Sequence, residues 1–207
     1  MDYLYSFSCS LERLLVLEDE ERAMISKEIP TDLKEKTWEY CQRNNMGNRG
    51  AFDGSPEQQY TGRLGENMLR ISLGLLPSWS VGFDGGHDLI INRVKIDVKT
   101  MGRRVDPKPD YVNNFVGYQE SLDADMFVFC SINKTTNTFW ICGMAVKQDF
   151  LKSASFFPKG SIRKRSDGTE FTTGSPLYEI KNDLLTPVED PINIWAYTHE
   201  YADFLVR

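Results

Sequence analysis

Hydrophobic and polar positions alternate most clearly over residues 88–100, Asp-Leu-Ile-Ile-Asn-Arg-Val-Lys-Ile-Asp-Val-Lys-Thr. The period predicts two short strands, Asp88 to Ile91 and Val94 to Thr100, joined at Asn92-Arg93 by a tight turn. A two-residue loop pairs Ile91 with Val94, Ile90 with Lys95, Leu89 with Ile96 and Asp88 with Asp97. Alternating faces then group Asp88, Asp97 and Lys99 on one side and send Ile96 and Val98 into a core. A three-residue loop would instead put the two aspartates on opposite faces. Asn-Arg is also a weaker turn signal than Asn-Gly, because arginine disfavours positive φ.

Helical spacing governs the stretch before it. Ser55-Pro56-Glu57-Gln58 has the form of a capped helix start, and Leu76-Pro77 supplies the stop, so the helix is expected to end near Leu75. Leu64, Met68, Ile71 and Leu75 form one apolar row, Leu69, Leu73 and Leu76 a second, and Arg63, Glu66, Asn67 and Arg70 occupy the remaining face. Upstream, Leu11, Leu14, Leu15, Leu17, Met24 and Ile25 suggest a helix capped by Ser10, and Thr31 is expected to cap another carrying Leu33, Trp38 and Cys41. Downstream, Met126 to Ile132 and Thr138 to Met144 read as a hairpin around Asn133 to Asn137, followed by a helix from Lys147 to Ala154. Tyr111 to Tyr118 fits a strand or the front of a helix. From Ser155 the texture is rich in turns, with short strands at Ile162 to Lys164, Glu170 to Thr172 and Leu177 to Ile180. The aromatic tail, Trp195, Tyr197, Tyr201 and Phe204, is expected to pack back on the body.

Composition narrows the class. With 207 residues and 41% apolar content the chain can bury a substantial core, and no run of eighteen apolar residues occurs, which predicts a soluble cytoplasmic protein with no membrane partner. Four separated cysteines without a C-x-x-C motif suit reduced thiols, and two histidines exclude metal sites built on several imidazoles. The net charge of -6 argues against nucleic acid, but residues 1–40 hold ten acids against five bases and the rest of the chain is nearly neutral. Positive charge collects at Lys99, Arg103, Arg104 and Lys108, and at Lys159, Arg163, Lys164 and Arg165.

The candidate chemistry follows from charge repulsion. Two carboxylates opposed at roughly 5 Å weaken a hairpin unless a cation lies between them. Glu66 supplies a third acid, and Thr61-Gly62-Arg63-Leu64-Gly65 before it lets backbone or ligand approach closely. Glu66 on a helix, Asp88 after Gly85-Gly86-His87, and Asp97-Val98-Lys99 nine residues on resemble the PD-(D/E)xK, or restriction-endonuclease-like, nuclease superfamily. His87 stands where the family's name has proline. The resemblance covers about residues 55–154.

It implies an α/β fold, a small mixed sheet flanked by helices, with a restriction-endonuclease-like core. An N-terminal helical appendage over 1–50 and a nuclease-like domain over 51–207 follow, the ribbon and tail taking 155–207. Asp88 and Asp97 would hold Mg²⁺ (Mn²⁺ substituting), with the Val98 carbonyl and Glu66 completing the shell. Lys99 would stabilise developing negative charge first and act as a base only with a depressed pKa. Arg103 and Arg104, and a basic ribbon of Lys159, Arg163, Lys164 and Arg165, would contact phosphates of a DNA partner. The expected activity is DNA phosphodiester hydrolysis, leaning to an endonuclease. A catalytically silent binding module and an RNA-directed nuclease are the alternatives, and a homodimer is compatible with the acidic run Glu18 to Glu21.

Overall fold

Five strands of the chain form one curled, mixed sheet, and its longest strand carries the Asp-x-Lys pair. The computed structural model describes residues 24–44, 55–81, 85–164 and 168–205. The sheet is built from β1 (Ile25–Glu28), β2 (Leu89–Ile91), β3 (Val94–Arg103), β5 (Met126–Asn133) and β6 (Thr138–Val146), in the order β1-β6-β5-β3-β2. The β3–β5 pair is parallel and the others are antiparallel. All eight residues of β5 are buried, as its near-continuous apolar run requires of a central strand covered on both faces.

One face of the sheet packs against α1 (Thr31–Arg43), α2 (Pro56–Ser72) and α4 (Ile192–Leu205), through Leu33, Leu64, Met68, Leu69 and Ile194 against Ile96, Val98, Met126 and Val128. The other face meets a three-stranded sheet, β4 (Val112–Val116), β10 (Leu177–Lys181) and β7 (Ser155–Phe157), together with α3 (Lys147–Ser153). Phe115, Phe127, Phe129 and Phe150 form the aromatic centre of that second core. β8 (Ile162–Lys164) and β9 (Glu170–Thr172) make a separate two-stranded ribbon. No helix among the described residues is long and apolar enough to cross a membrane.

Local signals explain most elements. Ser55 and Gln58 form a complete capping box on α2, with Pro56 at its first position. The hairpin turn has two residues, and its register matches Ile91 with Val94, Ile90 with Lys95 and Leu89 with Ile96. Asn92 and Arg93 both adopt positive φ, 49° and 71°. Arginine tolerates this because Asn92 is held from outside, its Nδ2 donating to the Trp195 carbonyl and Thr198 Oγ1 at 3.1 Å. Tyr111 to Tyr118 resolves into β4 and the start of a 3₁₀ turn, Gly117–Ser121. Cys130 and Cys142 are buried free thiols.

Two expectations near the amino terminus are corrected. Ile25 belongs to a strand, paired with Ile141 of β6, because a bare sheet edge offers its backbone more hydrogen bonds than a helix end would. The rest of the helix expected after Ser10 lies outside the described residues. Thr31 is the first helical residue and Pro30 occupies the cap, without a side-chain cap bond. The described part of the first fifty residues is therefore partly strand, and β1 is an edge of the main sheet.

The approach of α2 to β3 positions everything that follows. A Cβ on Gly65 would stand 2.0 Å from Thr100 Oγ1, 2.6 Å from Thr100 Cγ2 and 2.7 Å from Thr100 Cβ. Gly65→Ala should therefore destabilise the protein by about 1–3 kcal/mol, the scale of core overpacking. Thr100→Ala in the same chain removes two of the three colliding atoms and should restore part of that loss, read from paired urea unfolding midpoints.

Candidate active site

The sequence-predicted residues approach one strand edge from three directions. β3 runs ten residues but β2 pairs with only its first three, so the edge of β3 beyond Ile96 is not covered by β2. Asp88 stands at that point. Its N–H donates to the Ile96 carbonyl at 2.8 Å, and its Oδ2 accepts from the Val98 N–H at 2.7 Å. The carboxylate thus replaces the next strand carbonyl of the ladder. This corrects the expected register in one respect, since pairing stops at Leu89 and Asp88 caps the edge instead of standing opposite Asp97 in the ladder. N–H and C=O of one residue point to the same side of a strand, so the Val98 carbonyl faces that edge as well.

Asp97 and Lys99 share the face of β3 turned toward β4, as period two requires. Lys99 Nζ lies 2.6 Å from Asp97 Oδ2 and 5.4 Å from the centroid of Phe115. That oxygen is buried and has no aligned hydrogen-bond donor despite the short charge contact. Glu66 comes from α2, beside Gly65, and is 6% exposed. Its Oε2 accepts from Arg63 Nη1 at 2.6 Å, and the Arg63 guanidinium sits 5.4 Å from the centre of the Tyr40 ring. The sequence places Arg63 on the same helix face as Glu66 but assigns it no role, although a spacing of three on a helix is the signal for such a pair.

The acids feel one another. Burial pushes the Asp88 carboxyl well above the usual aspartate value, and the charges of Asp97 and Glu66 push it further. The Val98 N–H and the Lys99 ammonium oppose that rise. As their side chains stand, no three His, Cys, Asp or Glu residues among those described are close enough together to hold a metal ion. The reason is visible in the ion pairs, because Glu66 is turned to Arg63 and Asp97 to Lys99. A hard divalent cation is nevertheless compatible with the site. Mg²⁺ keeps several waters and needs only one or two carboxylates, which Asp88 and Asp97 offer beside the Val98 carbonyl. Asp97 Oδ2, now paired with the Lys99 ammonium at 2.6 Å, is an oxygen that could turn to a cation.

The basic candidates divide sharply. Arg103 is a structural residue, its Nε donating to Ser131 Oγ at 3.1 Å and its Nη2 to the Val112 carbonyl at 2.7 Å, with its guanidinium over the Tyr111 ring. Arg163 is likewise committed, through a bidentate pair with Glu179 at 2.6 and 3.2 Å and stacking on Phe157 at 3.7 Å. Arg104, Lys159 and Lys164 are exposed. Arg165 lies outside the described residues. His87 contacts the Asp123 carbonyl through Nδ1 at 3.1 Å, which suits a loop residue.

No family model matches the chain, and neither a curated protein nor a solved structure does. The functional reading therefore rests on this geometry.

The raised Asp88 pKa has a defined sign. A carboxyl that holds its proton more tightly when folded contributes stability below the unfolded value, and that contribution is lost as pH rises through the folded one. Asp88→Asn keeps an acceptor for Val98 and removes the charge. Its thermal midpoint should exceed that of the wild type at neutral pH, and the gap should close on acidification toward the usual aspartate value of 3.8. Differential scanning fluorimetry across pH without divalent ions checks this.

Proposed function

We propose that the chain is a metal-dependent DNA phosphodiesterase with a restriction-endonuclease-like core, cutting internally. One observation carries the reading. Acids from α2, from the residue before β2 and from β3 are brought within electrostatic reach of one another, beside Lys99, whose ammonium pairs with the buried Asp97. A fold gains nothing in stability from such crowding, since buried like charges repel and desolvation penalises each.

Asp88 and Asp97 would hold Mg²⁺ or Mn²⁺ together with the Val98 carbonyl, and Glu66 would join directly or through water after release from Arg63. When bound, the ion lowers the pKa of a coordinated water and neutralises charge on the scissile phosphate. Lys99 orients the attacking water and stabilises negative charge as it develops, an ammonium being a poor base while charged. Arg63, once freed from Glu66, has a phosphate as its natural acceptor. Arg104, Lys159 and Lys164 remain available for backbone contacts that carry no sequence information.

A second reading, a catalytically silent DNA-binding module, draws on the same ion pairs, because Arg63 and Lys99 already neutralise two of the acids. Nicking of supercoiled plasmid in Mg²⁺ separates the two. The nuclease reading expects Asp97→Ala and Lys99→Ala each to lower the rate by at least about 10²-fold, the scale of one preorganised electrostatic group. It also expects Mn²⁺ to raise the thermal midpoint of the wild type and not that of Asp97→Ala, by binding the folded state alone. Equal nicking by wild type and Asp97→Ala, or no metal-dependent shift in either, overturns it.

A further inference from the structure

A cavity lies one side chain away from the acids. It measures about 280 Å³ and is lined by Lys36, Glu39, Tyr40, Arg43, Asn44 and Trp79. Lys36, Tyr40 and Arg43 follow helical spacing on α1, so one stripe of the helix presents a cation, an aromatic ring and a second cation. Trp79 comes from the segment after α2 and meets Tyr40 with ring centroids 5.5 Å apart and planes at 58°.

Trp79 is pinned on both sides. The Ser78 N–H donates to Asn67 Oδ1 at 2.8 Å, and the Tyr40 hydroxyl donates to the Ser80 carbonyl. Asn67 is fully buried and follows Glu66 on α2, so one turn of helix holds both an acid of the site and a wall of the cavity. Arg63 completes the link, lying against the Tyr40 ring and bonded to Glu66. The aromatic wall is therefore preorganised at a fixed position relative to the acids.

Charge on the rim indicates what enters. Lys36 and Arg43 are engaged with Asp32 at 3.5 Å and Glu39 at 3.3 Å, exposed pairs that a phosphate displaces easily. Glu39 also lines the cavity, and its charge disfavours a phosphate inside it, leaving that space to a neutral ring.

We propose that this cavity is a subsite for one unpaired DNA base, stacked on Trp79 with the inclined Tyr40 ring against its edge and its flanking phosphates at Lys36 and Arg43. The assignment rests on the nuclease reading for the identity of the strand that reaches Glu66, Asp88 and Asp97. Aromatic faces stack any base, whereas a paired base would first have to leave its helix. The substrate class is accordingly DNA with a single-stranded segment beside the cleaved bond, such as an overhang, a flap or a gap.

Binding to full-length Asp97→Ala protein in EDTA tests the subsite without any requirement for cleavage. Short oligothymidylate should bind at least about 5-fold more tightly than a blunt duplex of equal length, the lower end of one base–aromatic stack. Adding Trp79→Ala should remove that preference and leave duplex binding unchanged. Trp79→Phe keeps a ring in the wall and should bind within about 3-fold of its parent while losing saturable quenching of tryptophan emission. Quenching undiminished in Trp79→Phe, equal affinity for single strand and duplex, or tighter binding of oligouridylate than of oligothymidylate overturns the proposal. The two readings fail separately. A chain that cleaves neither plasmid nor a flap or gapped duplex in Mg²⁺, yet shows Trp79-dependent single-strand binding, loses the nuclease and keeps the subsite, and metal-dependent cleavage without single-strand preference does the reverse.

Discussion

The close approach of α2 to β3 is the constraint on which the rest of the structure depends. Thr100 occupies the space that any side chain at position 65 would need, so the helix and the strand lie nearer than side chains normally allow. That proximity brings Glu66 to a sheet whose exposed edge already holds Asp88. It also sets the line of the helix from which Asn67 fixes the Trp79 segment. A single missing methyl group thus determines the spacing between an acid cluster and an aromatic wall. Glycine at this position acts through what it omits, and not through backbone freedom, since residue 65 is helical.

Charge in the site is arranged so that each acid, two buried and Asp88 half-buried, has a resident partner. Arg63 serves Glu66, Lys99 serves Asp97, and a backbone N–H serves Asp88. Such pairing makes crowded carboxylates tolerable while no external cation is bound, because a lone buried charge costs far more than a paired one. The pairs are local, at spacings of two and three residues, so they can open without moving the fold. A site built this way can exchange internal cations for an ion and a phosphate with side-chain rotations alone.

Positive charge illustrates where sequence reading fails. Arg103 and Arg163 sit in basic clusters indistinguishable by composition from a phosphate-binding surface, yet each is half-buried and bonded to its own protein. Arginine's planar fork suits a backbone carbonyl or a carboxylate as well as it suits a phosphate. Only the partner distinguishes the uses, and the partners lie far away in sequence, Val112 for Arg103 and Glu179 for Arg163. Lys159 and Lys164 show the complementary case, remaining exposed beside the committed arginine.

Periodicity and capping alone determined the start of α2, the hairpin around Asn133 to Asn137 and the ribbon strands, because each depends on residues a few positions apart, whereas α2 ends at Ser72, short of the expected Leu75, and the Asn92-Arg93 turn is held by Trp195 and Thr198. The same local logic put Asp97 and Lys99 on one face. Tertiary structure decided what local signals cannot carry. It drew Ile25 into the sheet, stopped the β2 ladder at Leu89 so that Asp88 caps the edge, and spent two arginines on the fold. Those outcomes turn on which backbone and side-chain groups must be satisfied once distant segments are packed, and hydrogen bonds between distant segments leave no period in the sequence.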